Sequence, residues 1–206
     1  MTQAVAGSGA RLRYLALGDS YTIGEGVLPD ERWPMQLARQ LRDAGVAVAE
    51  PQIIATTGWT TDELAAAIAA AAPAPADLVT LLIGVNNQYR GRDAAEYGAH
   101  FAALLAGAIS LAGNAARVVV VSIPDWGVTR FAREHGHDAA VIGAALDQFN
   151  RLAQAETEAH GAHFVDITGL SRAHPHELAA DGLHPDGRQY ARWTARIAPV
   201  AHAALS

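Results

Sequence analysis

The chain contains no cysteine, which excludes disulfide bonds and thiol catalysis. It is poor in charge, at 17% of residues, and has no excess of positive charge, since 15 basic side chains face 21 acidic ones for a formal net charge of −6. Without a basic footprint, nucleic acid is not an expected partner. Long uninterrupted apolar runs are also missing. The alanine-rich stretch from Leu64 to Ala76 is broken by Pro73 and Pro75 and is too short to span a bilayer. Met1 to Arg13 is small and polar with no apolar h-region, so no signal peptide or transmembrane segment is expected and a cytoplasmic location is.

What is present is half apolar by composition over 206 residues, enough for one domain with a substantial core. Residues 1–12 read as a short flexible lead-in and 13–206 as a single domain, without internal repeats. Apolar runs and helical periodicities alternate along it. Arg13 to Leu17 reads as a first strand, and Pro34 to Ala44 as a helix with Leu37, Ala38 and Leu41 on one face and Gly45 as its stop. Val46 to Ala55, broken by Pro51, reads as a second strand. Thr60-x-x-Glu63 has the form of a capping box that opens a helix to about Ala72.

Asp77 to Gly84 is a nearly continuous apolar strand. A long helix over Asp93 to Ala112 follows, then a strand over Val118 to Ile123. Pro124 to Gly136 reads as irregular. A helix from Asp138 to His160 carries Ile142, Leu146, Phe149 and Leu152 at spacings of three and four. His163 to Ile167 reads as a short fifth strand, and Asp186 to Ala198 as a last helix that Pro199 ends or kinks. Five such βα units predict an α/β fold, a parallel sheet covered on both faces by helices. Ligands of such sheets bind beyond the carboxyl ends of the strands, where the strand order reverses.

Two segments at opposite ends of the chain carry chemistry. Gly18-Asp19-Ser20 breaks off the first strand and can hold one hydroxyl at the sheet edge. Asp181-Gly182-Leu183-His184-Pro185 can set a carboxylate against Nδ1 of an imidazole, leaving Nε2 free to take a serine proton. The order Ser, Asp, His is one that such triads adopt, although no Gly-x-Ser-x-Gly elbow is present. The pairs His135/His137, His160/His163 and His174/His176 do not reach the ligand density of known zinc motifs, so no metal is expected.

Together with Gly58 in Thr57-Gly58-Trp59-Thr60 and with Gly84-Val85-Asn86-Asn87, these segments occur in the order found in the SGNH (GDSL) hydrolases. The chain resembles that family along most of its length. One position departs, because Asn87 stands where the family usually has aspartate. The resemblance implies a three-layer α/β/α fold with a five-stranded parallel sheet in the flavodoxin-like order 2-1-3-4-5. It also implies a cofactor-free serine carboxylester hydrolase working through an acyl-enzyme. Ser20 would be nucleophile, His184 general base and acid, and Asp181 the group orienting it. The oxyanion donors would be the backbone N–H groups of Ser20 and Gly58 and the side chain of Asn86.

Asn87, Tyr89, Arg90, Trp126 and Phe131 are candidates for a substrate pocket. Asp19 is expected to support the loop through backbone N–H groups, and Pro185 to brace His184 or to start the last helix. The expected partner is a small ester, with short acyl esters or lysophospholipid-like molecules favoured over triglycerides because there is no long apolar insertion. An acyltransferase using the same site, or a silent binding module of the same fold, is the alternative.

Overall fold

The computed structural model describes residues 11–206. Five strands form one parallel sheet: β1 (Tyr14–Gly18), β2 (Gln52–Ala55), β3 (Leu78–Leu82), β4 (Val118–Val121) and β5 (His163–Val165), in the order β2-β1-β3-β4-β5. In register, Leu17 of β1 lies between Ile54 of β2 and Leu81 of β3. Every residue of β1, β3 and β4 is buried whichever way its side chain points, as expected of strands covered on both faces.

Nine α-helices supply the cover and the connections among the described residues. They are α1 (Ser20–Ile23), α2 (Trp33–Asp43), α3 (Thr61–Ala71), α4 (Val85–Tyr89), α5 (Ala94–Ala112), α6 (Arg130–Glu134), α7 (Ala139–Ala159), α8 (Thr168–Ala173) and α9 (Gly187–Ala204). Helix α2 packs on α9, and α5 packs on α3 and α7. By length and composition alone α5 could cross a membrane. Its Tyr97, Phe101, Leu104, Leu105 and Ala108 are instead buried, and it packs on β3. Its high hydropathy comes in part from small outward residues such as Ala99, Ala103 and Ala106.

The structure departs from the expectations above at several places. Residues 1–10 of the expected lead-in lie outside the described residues, and Leu12 is already joined to the fold through backbone hydrogen bonds with Ala47 and Ala49. The second strand is shorter than expected, retaining only an isolated bridge at Val48 before β2. The segment after β4 is largely helical: a turn of 3₁₀ helix covers Trp126–Val128, and α6 follows, with the Thr129 hydroxyl accepting from Ala132 N–H as its cap. Leu152 is 38% exposed rather than part of the core.

Helix α9 runs through Pro199 to Ala204. Ile197 and Ala201, both fully buried, hold it on either side of the proline. Proline leaves the carbonyl four residues earlier without its helical donor. That residue, Ala195, is exposed, so water can satisfy it. Pro185 does not begin this helix: Asp186 caps it, and Pro185 bridges to Leu178.

Candidate active site

The reversal of strand order falls between β1 and β3, and the segments leaving these two strands carry Ser20 and Asn86. Asp19 caps α1 by accepting from Tyr21 N–H at 3.0 Å. Ser20 is therefore the first residue of α1, a position whose backbone N–H has no intrahelical acceptor. The Asp19 carboxyl is fully buried, its other oxygen has no partner, and burial raises its pKa to about 7 against the lowering effect of the Tyr21 hydrogen bond.

Asp181 and His184 lie on the turn that leads into α9. His184 Nδ1 and Asp181 Oδ2 are 2.6 Å apart. The other carboxylate oxygen accepts from the backbone N–H groups of Leu183 at 2.9 Å and His184 at 3.0 Å. Partial burial alone would raise the Asp181 pKa. The hydrogen bonds from the His184 ring and these two N–H groups outweigh it, and the carboxyl is held below its ordinary value. The turn is anchored by Ala179 N–H donating to the His184 carbonyl at 2.8 Å and by Phe131 N–H donating to the Gly182 carbonyl at 2.9 Å. The Tyr21 ring meets the His184 ring edge-on at 5.8 Å.

The third part is a pair of segments stitched to each other. Asn86 Nδ2 donates to the Trp59 carbonyl at 2.8 Å, leaving its second amide proton for another acceptor. Arg90 Nη2 donates to the Gly58 carbonyl at 2.7 Å and Nη1 lies 3.4 Å from Glu63. Gly58 has φ of +89°, a conformation that glycine adopts without strain. Asn87 is fully buried, accepting from Thr61 N–H at 3.1 Å and donating to the Thr61 hydroxyl at 2.8 Å. Glu63 accepts from Thr60 N–H at 2.8 Å in the capping box that opens α3, and the Thr60 hydroxyl lies within hydrogen-bond distance of the Asp62 and Glu63 carboxylates.

These parts meet around one cavity of about 190 Å³, lined by Ser20, Gly58, Asn86 and His184 among others. No hydrogen bond joins Ser20 to His184 among the described residues; such bonds are often long before substrate binds. Of the five candidate pocket residues, Tyr89, Trp126 and Phe131 line the cavity. Asn87 does not, because its side chain is consumed by Thr61, and Arg90 does not, because its guanidinium turns to Gly58 and Glu63. Tyr21, Thr57, Val85 and Leu183 also line it. Tyr21 directly follows Ser20, and Thr57, Val85 and Leu183 stand within the motif segments; that placement was their signal in the sequence. His135 stacks on Phe131 with ring centroids 4.1 Å apart, and His137 meets Trp126 edge-on at 5.0 Å.

A parallel sheet in this order, with serine, asparagine and a histidine–aspartate turn at its switch point, is the architecture of the SGNH hydrolase fold. The profile of the GDSL-like lipase/acylhydrolase family matches residues 16–192, and the chain belongs to that family. Among solved structures it is similar to TesA, with 20% identity, a TM-score of 0.70 and coverage of 94% of this chain and 99% of that one. A lipase/acylhydrolase from Enterococcus faecalis shares 20% identity with a TM-score of 0.69, covering 93% and 96% of the respective chains. The SGNH-hydrolase family esterase AlinE4 shares 19% identity with a TM-score of 0.67, covering 97% and 100%. No curated protein sequence matches the chain. Family membership supports ester hydrolase activity.

Proposed function

We propose that the protein is a serine carboxylester hydrolase acting on short-acyl esters through an acyl-enzyme. Ser20 Oγ attacks the ester carbonyl carbon while His184 Nε2 takes its proton, and Asp181 holds the ring through Nδ1 and stabilises the imidazolium. The negative charge formed on the carbonyl oxygen meets Ser20 N–H, Gly58 N–H and the free amide proton of Asn86. Collapse expels the alcohol, protonated by His184. Water then repeats the sequence on the acyl-serine, releasing the acid and restoring the serine.

The observation that supports this reading most is the 2.6 Å contact between His184 Nδ1 and Asp181 Oδ2 on a turn that also brings His184 into the cavity with Ser20. Cavity size favours the short end of the substrate range. An apolar cavity of about 150 Å³ holds one benzene, whereas drug-sized ligands occupy about 300 Å³ or more. At about 190 Å³, this one fits an acyl group of a few carbons. The long chain of a lysophospholipid-like ester would exceed it.

Hydrolysis of nitrophenyl esters of increasing acyl length, by the wild type and Ser20→Ala, tests the proposal. Cleavage of short chains that the substitution abolishes is the expected result. Cleavage that survives it, or an optimum at long chains, overturns the nucleophile or the substrate class respectively.

A further inference from the structure

A second cavity, of about 310 Å³, lies behind the Asp181–His184 turn and is lined by Arg130, Arg133 and His176, with Pro175, Leu178 and Gly182 among its other walls. No carboxylate lines it. The acidic groups nearby are already engaged: Glu177 holds Arg192 through both oxygens at 2.8 Å, and Asp181 holds His184. Glu134 approaches Arg130 only at 3.9 Å. Arg133 has no ion-pair partner among the described residues. By contrast, the open cavity of about 580 Å³ beside Asp186 is lined by groups of both signs, with Arg188 and Asp186 paired at 2.8 Å.

The position of Arg130 is built into the fold. Its Nη2 donates to the Ala180 carbonyl at 2.8 Å, and the guanidinium lies over Gly182, where a Cβ would come within 2.5 Å of Nε. Gly182 also has φ of +71°, so its lack of a side chain serves both the turn and the seat of the arginine. Arginine forks match the geometry of phosphate and carboxylate oxygens.

The two cavities share a wall. Phe131 and Leu183 face the Ser20 cavity, while their chain neighbours Arg130 and Gly182 face the basic one. The wall is joined by the Phe131–Gly182 backbone hydrogen bond. We propose that this basic cavity is a subsite for an oxyanion, phosphate or carboxylate, carried by the substrate beyond its scissile ester. On a chain of net charge −6, a local cationic cavity offsets the repulsion that an anionic substrate meets. The proposal rests on the ester hydrolase reading and extends it from the reacting group to the remote part of the substrate.

Two measurements test it. The first is the ratio of kcat/KM for a short-acyl ester with a phosphate on its alcohol portion to that for the neutral ester of the same acyl group. Arg133→Gln is expected to lower this ratio about tenfold, and the loss should shrink as salt screens the charge. A ratio unchanged within twofold overturns the proposal.

The second is titration of inorganic phosphate into Ser20→Ala protein carrying ¹⁵N-arginine, following the side-chain signals. Shifts of Arg130 and Arg133 that Arg133→Gln weakens are expected, and their absence at tens of millimolar overturns the subsite whatever the enzyme hydrolyses. In the wild type, free phosphate should compete with the phosphorylated ester more than with the neutral one. Equal effects on both would assign the cavity to a free ion and overturn a substrate-borne anion. If phosphate binds but neither ester is cleaved by wild-type protein, the hydrolase reading fails on its own.

Discussion

Arg90 Nη2 donates to the carbonyl of Gly58 at 2.7 Å, fastening the segment after β3 to the loop after β2. The same guanidinium reaches Glu63 at the start of α3. Arg90 therefore braces Gly58, whose own N–H is the proposed oxyanion donor, without lining the cavity itself. Arg90→Gln is expected to lower kcat for short esters about tenfold with a smaller change in KM, because a loosened donor weakens transition-state binding more than substrate binding. Arg90→Lys, which can still donate to Gly58, should recover part of the loss. Steady-state kinetics of the two variants check this, and equal loss in both would count against it.

Asn86 and Asn87 are adjacent and should behave differently. Asn86→Ala removes an amide proton available to the oxyanion and should cost about a hundred- to a thousandfold in kcat. Asn87→Ala leaves Thr61 N–H unsatisfied in a buried site and should cost about 1–3 kcal/mol of stability, with a smaller effect on kcat. Asn87→Asp should remain active, because a carboxylate can accept from both the N–H and the hydroxyl of Thr61. Denaturant melts and kinetics of the three variants separate these effects.

Asp19 makes stability depend on pH. Its carboxyl, raised to about 7 by burial, keeps a proton in the folded chain that the unfolded chain releases near its ordinary value of about 4. Folding therefore binds a proton in this window, and stability falls as pH rises from about 4 to about 7, by at most about 1.4 kcal/mol per unit. Above that it levels off. The variant Asp19→Asn cannot ionise, so the wild type should lose stability relative to it across the window. Urea midpoints of both proteins at several pH values test this; parallel curves would mean that Asp19 is charged throughout.

Phe131 forms a half-buried wall of the Ser20 cavity. Phe131→Ala should enlarge it and move the acyl-length optimum towards longer chains, read from a nitrophenyl ester series. An unchanged optimum would place the acyl group against another wall.

Much of the fold was legible because the relevant signals are local. The apolar runs at Tyr14 to Leu17, Leu78 to Ile83 and Val118 to Val121 are bounded by abrupt polar or glycine breaks, and those breaks became the loops around the cavity. The motif residues share that legibility. What could not be read was the direction of side chains decided by tertiary partners. Asn87 and Arg90 sit next to the cavity in sequence, but Thr61, Gly58 and Glu63, brought in by folding, turn them away from it.

Short helices were missed for a related reason. Helix α6, with five residues, and α8, with six, hold too few residues to display a period. Pro199, expected to end or kink the last helix, does not end it, although proline in a helix interior costs a hydrogen bond and crowds the carbonyl four residues earlier. In α9 the buried neighbours Ile197 and Ala201 decide the outcome.

The packing of α9 against α2 joins the last part of the chain to the first. Ser20 lies ahead of α2 in the chain and His184 just before α9, so the two residues come together only when these distant segments are both folded. The shared cavity forms only once the turn before α9 is in place. On the proposed mechanism, a fragment cut ahead of Asp181 lacks both the base and its orienting carboxylate and is expected to be inert.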